Sequence, residues 1–451
     1  MQSSKENQLA TMPVGRLLWQ LSLPAITAQI VNVLYNMVDR MYIGHIPGEG
    51  AAALTGLGVT MPVILLVSAF ATLASMGGAP RASIMMGRGR KDEAERILGN
   101  CTMALILMAL VLTAAMLLLG RRALLLFGAS EDTIGYAWDY LSIYALGTIA
   151  VQLSLGLNVY ITAQGFSRFS MLTVLIGAVC NIVLDPVFIF AFGMGVRGAA
   201  LATVLSQAIS AVWVVRFLTG KKTLLRIRKE NLRIDPKIYL PCVALGAAPF
   251  VMQFTESVLS VSFNSSLLRY GGDLAVGAQT ILTSVMQFSL MPLQGLTQGA
   301  QPIVSYNYGA NNKERVIGTV KVLLIVCAVY ATAMWLLAMF VPKLFASMFT
   351  SDPELIALAV HALRIYMAVT CMFGMQIGCQ QVFVAIGNAK MSLFLALLRK
   401  VILLIPLIFI LPLFLPNKVD AVWLAEPISD FIAVCTTCTL FYREMRKYLA
   451  K

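Results

Sequence analysis

The chain has 451 residues, of which 59% are hydrophobic and only 12% are charged, and its mean hydropathy is +0.81. Soluble domains average about 25% charged residues, so this composition excludes an ordinary soluble fold and favours a membrane protein. The net charge of +13 does not indicate nucleic-acid binding, because the basic residues are concentrated in short stretches between apolar segments, as membrane topology requires.

Apolar runs of about 20 residues, the length that crosses a bilayer as an α-helix, recur along the whole chain. These runs lack the alternation of barrel strands, so we expect an all-α membrane protein. About twelve transmembrane helices are predicted, near 16–43, 51–78, 97–119, 134–160, 168–192, 196–219, 238–265, 275–299, 316–341, 354–385, 391–414 and 419–442.

Basic residues are concentrated after the second, sixth, eighth and twelfth predicted segments, with Arg121 and Arg122 as the main exception. The positive-inside rule therefore predicts that both termini are cytoplasmic. The first ten residues, MQSSKENQLA, contain no apolar signal core. We therefore expect the first segment to remain in the protein as a membrane helix.

The sequence repeats itself at a spacing of 222 positions. PRASIMMGRGRKDEAE begins at Pro80 and PIVSYNYGANNKERV begins at Pro302, and the same spacing pairs Gly165 with Gly387. A constant spacing indicates a duplicated unit, which is typical of transporters built from two related bundles. We predict an N-terminal six-helix lobe at 1–220, a cytoplasmic linker loop at 221–237 and a C-terminal six-helix lobe at 238–451.

Two acidic residues with amide neighbours at helical spacing lie within predicted membrane segments of the first half. Asn36 and Asp39 share one face of the first segment, and Asn181 and Asp185 are four residues apart in the fifth. Inserting a charged side chain into the bilayer costs at least about 2.5–3.5 kcal/mol, so we expect these acids to have a structural or functional role. With Thr203 they could form a cation or proton site, in which Asp39 and Asp185 hold Na⁺ or share a proton. The alternative is a hydrogen-bonded pair that only joins three helices.

The second half carries its own polar stripes at helical spacing in the seventh and eighth segments, accompanied by methionines that suit a cavity of variable shape. Glu256 could bind a cationic substrate or a proton, or could be a tolerated acid. Arg399 and Lys400 lie about 12 Å deep in the eleventh segment, where they could pair with Glu426 or extend to the membrane surface. The predicted cavity residues are Glu256, Gln253, Asn264, Gln279, Thr283, Gln287, Met286 and Arg399.

Motifs for ATP hydrolysis, dinucleotide binding or metal-dependent catalysis are not evident. The glycines in GMGVRG match a dinucleotide fingerprint, but an apolar helix precedes them where that motif needs a strand, so a tight turn is predicted. The two histidines, His45 and His361, are isolated. We therefore expect no catalytic residue, no cofactor and no metal beyond Na⁺ at the acid pair, and we expect a monomer.

Several of these segments resemble multidrug and toxic compound extrusion (MATE) transporters. LSLPAITAQIVNVLYNMVDRMYIG looks like their first helix, NIVLDPVFIFAFGMGVRGAALAT like helices 5 and 6, and VWLAEPISD like helix 12. The likeness spans nearly the whole chain and is greatest to the bacterial DinF-like and MepA-like branch. It implies two six-helix lobes around a V-shaped cavity. It also implies export of amphipathic, often cationic compounds in exchange for H⁺ or Na⁺.

The resemblance also implies roles for particular residues. Glu256 stands where one branch of the family keeps a functional acid, and Asn36 lies near the first-lobe cation site. That site is matched by Asp39, Asn181, Asp185 and Thr203. The implied partners are small-molecule drugs and the lipid bilayer of a bacterial inner membrane.

Two other functions remain open at this point. A lipid-linked oligosaccharide flippase of the same superfamily would need basic residues in its cavity to hold a pyrophosphate, for which Arg399 and Lys400 are candidates. A polytopic membrane enzyme would need a catalytic group of residues at one membrane face, and none is apparent in the sequence.

Overall fold

The computed structural model of the chain describes residues 8–127, 129–349 and 352–450. Within these ranges the protein is almost entirely helical and contains no β-strand, which confirms the predicted all-α membrane fold. Residues 1–7, most of the stretch that we expect to lack a signal core, lie outside the described residues, as does Lys451 at the other terminus.

The first half contains six long helical segments, of which the fourth is broken by a bend of 61°. They are α1 (Val14–Gly44), α2 (Gly50–Gly87), α3 (Lys91–Leu126), α4 (Ile134–Leu146 and Thr148–Ala163), α5 (Ser167–Pro186, continued by the π-helical turn Val187–Ala191) and α6 (Val196–Thr219). The GMGVRG segment between α5 and α6 turns at Gly193 and Gly195, whose φ angles are +65° and +54°. This confirms the predicted tight turn.

The second half begins with a helical stretch of 74 residues, Pro236–Gly309. At 1.5 Å per residue it would be about 110 Å long, several times the roughly 30 Å of hydrocarbon in a bilayer. It is broken at Gly272, where φ is +66° and ψ is −164°, so it forms two membrane segments. We name residues 236–271 α7 and residues 273–309 α8. The stretch between the predicted segments 238–265 and 275–299 is therefore helical except for a sharp bend at Gly272.

The remaining helices complete a second set of six. They are α9 (Lys313–Phe340), α10 (Pro353–Tyr366 and Thr370–Ala385), α11 (Ala389–Leu397, the π-helical segment Leu398–Leu404, and Ile405–Phe414) and α12 (Lys418–Ala450). A short helix, Pro342–Ser347, precedes α10, whose two parts meet at 52°. Among the described residues, nine helices are long and apolar enough to span a membrane, and the two bent pairs raise this to eleven. Counting α7 and α8 separately gives the twelve that the sequence predicts.

The segment at 221–237 packs against the first half through its backbone. Gln164 Oε1 accepts hydrogen bonds of 2.8 Å from the Thr223 hydroxyl and from the amides of Leu224 and Leu225. Arg228 pairs with the buried Glu95 at 2.6 Å. This basic segment is therefore anchored, and it marks one end of the helical bundle, which we call the basic end.

The sequence repeat has a direct counterpart where α2 meets α8. A Cβ atom added to Gly87 would overlap the carbonyl of Tyr306, and one added to Gly309 would overlap the carbonyl of Ile84. Gly87 and Gly309 are 222 positions apart, as are Ile84 and Tyr306. The two helices thus make the same contact in both directions, as expected for repeats related by a twofold axis along the membrane normal.

Further close contacts join the halves toward the basic end. The Ser22 hydroxyl on α1 donates a 3.1 Å hydrogen bond to the Leu296 carbonyl on α8. Gly295 lets the α1 backbone approach so closely that an added Cβ would lie 2.6 Å from Ile26 Cα. Between α2 and α7, a Cβ on Gly246 would overlap the Leu73 carbonyl. Small residues therefore bring the helices of the two halves together at the backbone.

Candidate functional site

The two acids of the first half meet between α1 and α5. Asp39 is 8% exposed and Asp185 is fully buried, and their carboxyl groups lie close enough to interact directly. Asn181, one turn before Asp185 on α5, donates a 3.3 Å hydrogen bond from Nδ2 to Asp185 Oδ1. The structure thus brings together three of the four residues that the sequence singled out on these two helices, namely Asp39, Asn181 and Asp185.

Three oxygen atoms of this group have no hydrogen-bond partner among the described residues. They are Asp39 Oδ1, Asn181 Oδ1 and Asp185 Oδ2, all of them buried. Buried polar atoms are nearly always satisfied, and a buried carboxylate is costly without a counter-charge. A proton or a small hard cation would satisfy them, since carboxylate and amide oxygens are ligands that such cations prefer.

The backbone of α5 is distorted immediately after its acid. Pro186 has no N–H, so the carbonyl of Ile182 one turn earlier loses its helical partner. The chain then widens into the π-helical turn Val187–Ala191, in which the Phe192 amide bonds the Val187 carbonyl at 2.9 Å. Such π-turns are frequent at functional sites.

Two tyrosines that sequence reasoning missed approach the acid pair. Tyr35 lies one turn before Asp39 on α1, and Tyr140 reaches the site from α4. The Tyr140 hydroxyl donates a 3.5 Å hydrogen bond to Thr203 Oγ1, which connects Thr203 to the site. The spacing of four residues could have indicated Tyr35, but nothing in the sequence relates α4 to this position.

Asn36 makes a different contact from its predicted neighbours. Its Nδ2 donates a 2.6 Å hydrogen bond to the Asn32 carbonyl on the same helix. The amide is thus engaged with its own backbone, and a direct role at the acid pair stays a prediction.

The second half contains a buried charge network centred on α11 and α12. Arg399 is 8% exposed, and its Nε donates to Asp430 Oδ1 at 2.6 Å while Nη2 donates to Glu426 Oε1 at 3.1 Å. Its guanidinium lies 4.2 Å from the ring centre of Phe373, and its carbonyl accepts a 2.7 Å hydrogen bond from Ser429. Arg399 therefore joins α11 to α12. The alternative that it extends to the membrane surface is wrong.

The neighbouring Lys400 forms an ion pair with Glu256 on α7. The lysine side chain is 5% exposed and that of Glu256 is 61% exposed. Lys400 Nζ also lies 3.5 Å from the Met252 carbonyl. On the same helix, Gln253 Oε1 accepts a 3.4 Å hydrogen bond from Thr72 of α2, which is in the first half.

The other predicted cavity residues divide into buried and exposed groups. Gln279 is 2% exposed and accepts a 3.0 Å hydrogen bond from Trp423 Nε1, while Met286 is buried in the same apolar core. These two lie in the packed interior of the second half, which corrects their assignment to a cavity wall. Asn264, Thr283 and Gln287 are exposed, and their place in a cavity stays a prediction.

Comparison with known proteins identifies the family. The MatE family matches residues 24–187 and 249–410, well over half of the chain. The chain therefore belongs to the MatE family, which indicates a membrane transporter.

The alignments with individual relatives cover nearly the whole length of both proteins. The multidrug export protein MepA of Staphylococcus haemolyticus is 25% identical over 415 residues, covering 92% of this chain and 91% of that protein. The MepA protein of Staphylococcus aureus is 23% identical over 399 residues, covering 88% of this chain and 87% of that protein.

Solved structures show the same fold. The MATE multidrug transporter DinF-BH is 34% identical with a TM-score of 0.89, and the match covers 98% of both chains. A MATE transporter in the bent conformation has a TM-score of 0.92 at 21% identity, covering 99% of this chain and 98% of that one.

Proposed function

We propose that this protein is a secondary active multidrug efflux antiporter, which exports amphipathic, often cationic compounds in exchange for H⁺ or Na⁺. Membership of the MatE family and the MepA multidrug export relatives support drug export. The observation that carries the exchange mechanism is the buried pair of Asp39 and Asp185, in which one oxygen of each carboxyl group has no hydrogen-bond partner in the described part of the chain.

The chemistry of the pair follows from electrostatics. Two carboxylates about 4 Å apart repel each other by roughly 4 kcal/mol at an effective dielectric constant of about 20. A proton or sodium ion between Asp39 and Asp185 removes this repulsion and supports close packing of α1 against α5. Release of the ion restores the repulsion. The occupancy of the pair can therefore bias the packing of α1, which also contacts α8 of the other half through Ser22.

The proposed energy source is the ion gradient. Moving one charge across about 100 mV yields roughly 2.3 kcal/mol, enough for an approximately fortyfold gradient of a neutral substrate. On this proposal the protein acts as a monomer in a bacterial inner membrane, with the basic end and both termini in the cytoplasm. It has no cofactor, and its partners are small-molecule drugs and lipid.

The flippase alternative is weakened by the second-half network. Its candidate pyrophosphate ligands, Arg399 and Lys400, are both engaged by carboxylates, Arg399 by Glu426 and Asp430 and Lys400 by Glu256. A pyrophosphate would have to compete with three acids for these two cations.

The test is ethidium transport in proteoliposomes under separately imposed proton and sodium gradients. We expect one gradient to drive transport, and Asp185→Asn to abolish it, because an amide keeps the shape but cannot exchange a proton or neutralise a cation. Asp139→Asn is a matched control, since Asp139 pairs with Arg197 away from the site and should be dispensable. Near-normal export by Asp185→Asn would remove the acid pair from the mechanism.

A further inference from the structure

The second half holds a network of five charged side chains that are unequally engaged, four of them buried and the fifth, Glu256, exposed. Two cations, Arg399 and Lys400, face three acids. Arg399 takes both Glu426 and Asp430, holds them with short hydrogen bonds and stacks on an aromatic ring. Lys400 is left with Glu256, so the network consists of one closed part and one separate ion pair.

Only one partner of the Lys400–Glu256 pair is buried. The Lys400 side chain is 5% exposed, whereas that of Glu256 is 61% exposed. Glu256 lies three residues after Gln253, which puts the two on one face of α7. Gln253 contacts Thr72 across the halves, and the rings of Phe250 and Phe70 are 5.2 Å apart at the same level. Glu256 therefore lies on an exposed part of α7, one turn beyond this contact and farther from the basic end.

We propose that Lys400 is a tethered cation that occupies Glu256 in the empty protein, and that an organic cation binds at Glu256 by displacing it. The proposal rests on the proposed function and assigns Lys400 as a residue that determines specificity. A neutral compound gains nothing from the acid while the lysine occupies it. A cation replaces the lysine and recovers the same attraction.

The surroundings of Lys400 allow such a displacement. Its ammonium is carried on a flexible four-carbon stem, unlike the planar guanidinium of its neighbour. It lies within electrostatic reach of Glu426 and Asp430, so a displaced ammonium still has carboxylates nearby. It also stems from the π-helical segment Leu398–Leu404, where the regular helical hydrogen bonding is already altered.

Equilibrium binding of ethidium to the purified, detergent-solubilised protein tests the proposal without requiring transport. We would compare the parent, Lys400→Met, Glu256→Gln and the double variant by fluorescence polarisation. Lys400→Met should bind ethidium about tenfold more tightly, since close charge pairs couple by more than about 1.4 kcal/mol. Glu256→Gln alone should change the Kd less than about twofold, because the acid is already occupied. The double variant should lose the gain.

Controls separate folding from binding. Lys390→Met removes an exposed lysine at the start of the same helix and should leave the Kd unchanged. Lys400→Gln is a second replacement in case the methionine variant does not fold, with folding judged by size-exclusion profile and thermal unfolding.

Three outcomes would overturn the proposal. Unchanged or weaker ethidium binding by folded Lys400 variants would overturn it alone and leave the export function standing. A gain that persists in the double variant would show that Glu256 is not the site. Absence of ethidium binding by the parent and every variant would overturn both the proposal and the substrate class of the proposed function.

Discussion

Removing the Arg399 guanidinium should destabilise the second half strongly. Arg399→Met leaves Glu426 and Asp430, which are 5% and 2% exposed, without their counter-charge. Breaking a buried ion pair from one side costs about 3–5 kcal/mol, and loss of the contact with Phe373 adds roughly 0.5–2 kcal/mol. The free energy of unfolding should therefore fall by about 3.5–7 kcal/mol, a large part of the approximately 5–15 kcal/mol typical of a domain.

The measurement is reversible unfolding of the detergent-solubilised protein by sodium dodecyl sulfate, followed by tryptophan fluorescence. Combining Arg399→Met with Glu426→Gln and Asp430→Asn should recover most of the loss, because no unpaired charge then remains buried. The exposed pair of Arg197 and Asp139 gives the comparison, since Arg197→Gln should leave the free energy of unfolding nearly unchanged. A loss below about 1 kcal/mol for Arg399→Met, or no recovery in the triple variant, would refute the reasoning.

Two further predictions concern topology and coupling. Lys229 lies in the exposed 3₁₀ turn of the basic segment, and Lys229→Cys should react with a membrane-impermeant thiol reagent in inverted vesicles. Labelling of this variant in intact cells, above the background of the parent protein, would instead place the basic end on the outer side of the membrane. Ethidium export at fixed ion gradients should respond weakly to a valinomycin–potassium voltage, because exchange of one monovalent cation for one ion moves no net charge; a strong response would mean that more than one ion is coupled.

The sequence predicted features that depend on one helix more completely than those that depend on the packing of two. The spacing of Asn181 and Asp185 is visible within α5, so their association could be inferred. The contribution of Tyr140 could not, because it depends on how α4 packs beside α1.

The same distinction explains the errors in the second half. The depth of Arg399 and its possible pairing with Glu426 were readable from the sequence, and the structure confirms that pair, but the contacts with Asp430 and Phe373 became apparent only when the helices were packed together. Gln279 and Met286 lie on a polar, methionine-rich stripe that the sequence could not distinguish from a cavity wall, because burial depends on which neighbouring helix covers that face. The chain turns between α7 and α8 at Gly272 alone, because a single glycine at positive φ can reverse the chain direction without a longer polar turn.

The reciprocal contact of Gly87 and Gly309 with the opposing backbone has a mechanical consequence. Interlocked side chains resist tilting, whereas two backbones in contact at glycines can roll over each other with little steric change. The contact lies on the pseudo-twofold axis near the basic end, so it can act as a fulcrum. Displacements grow with distance from a fulcrum, and a tilt too small to break the glycine contact would become a movement of several ångströms at the far ends of the helices. On the proposed exchange mechanism, ion binding at Asp39 would act far along α1 from this contact, where a small tilt gives a large displacement.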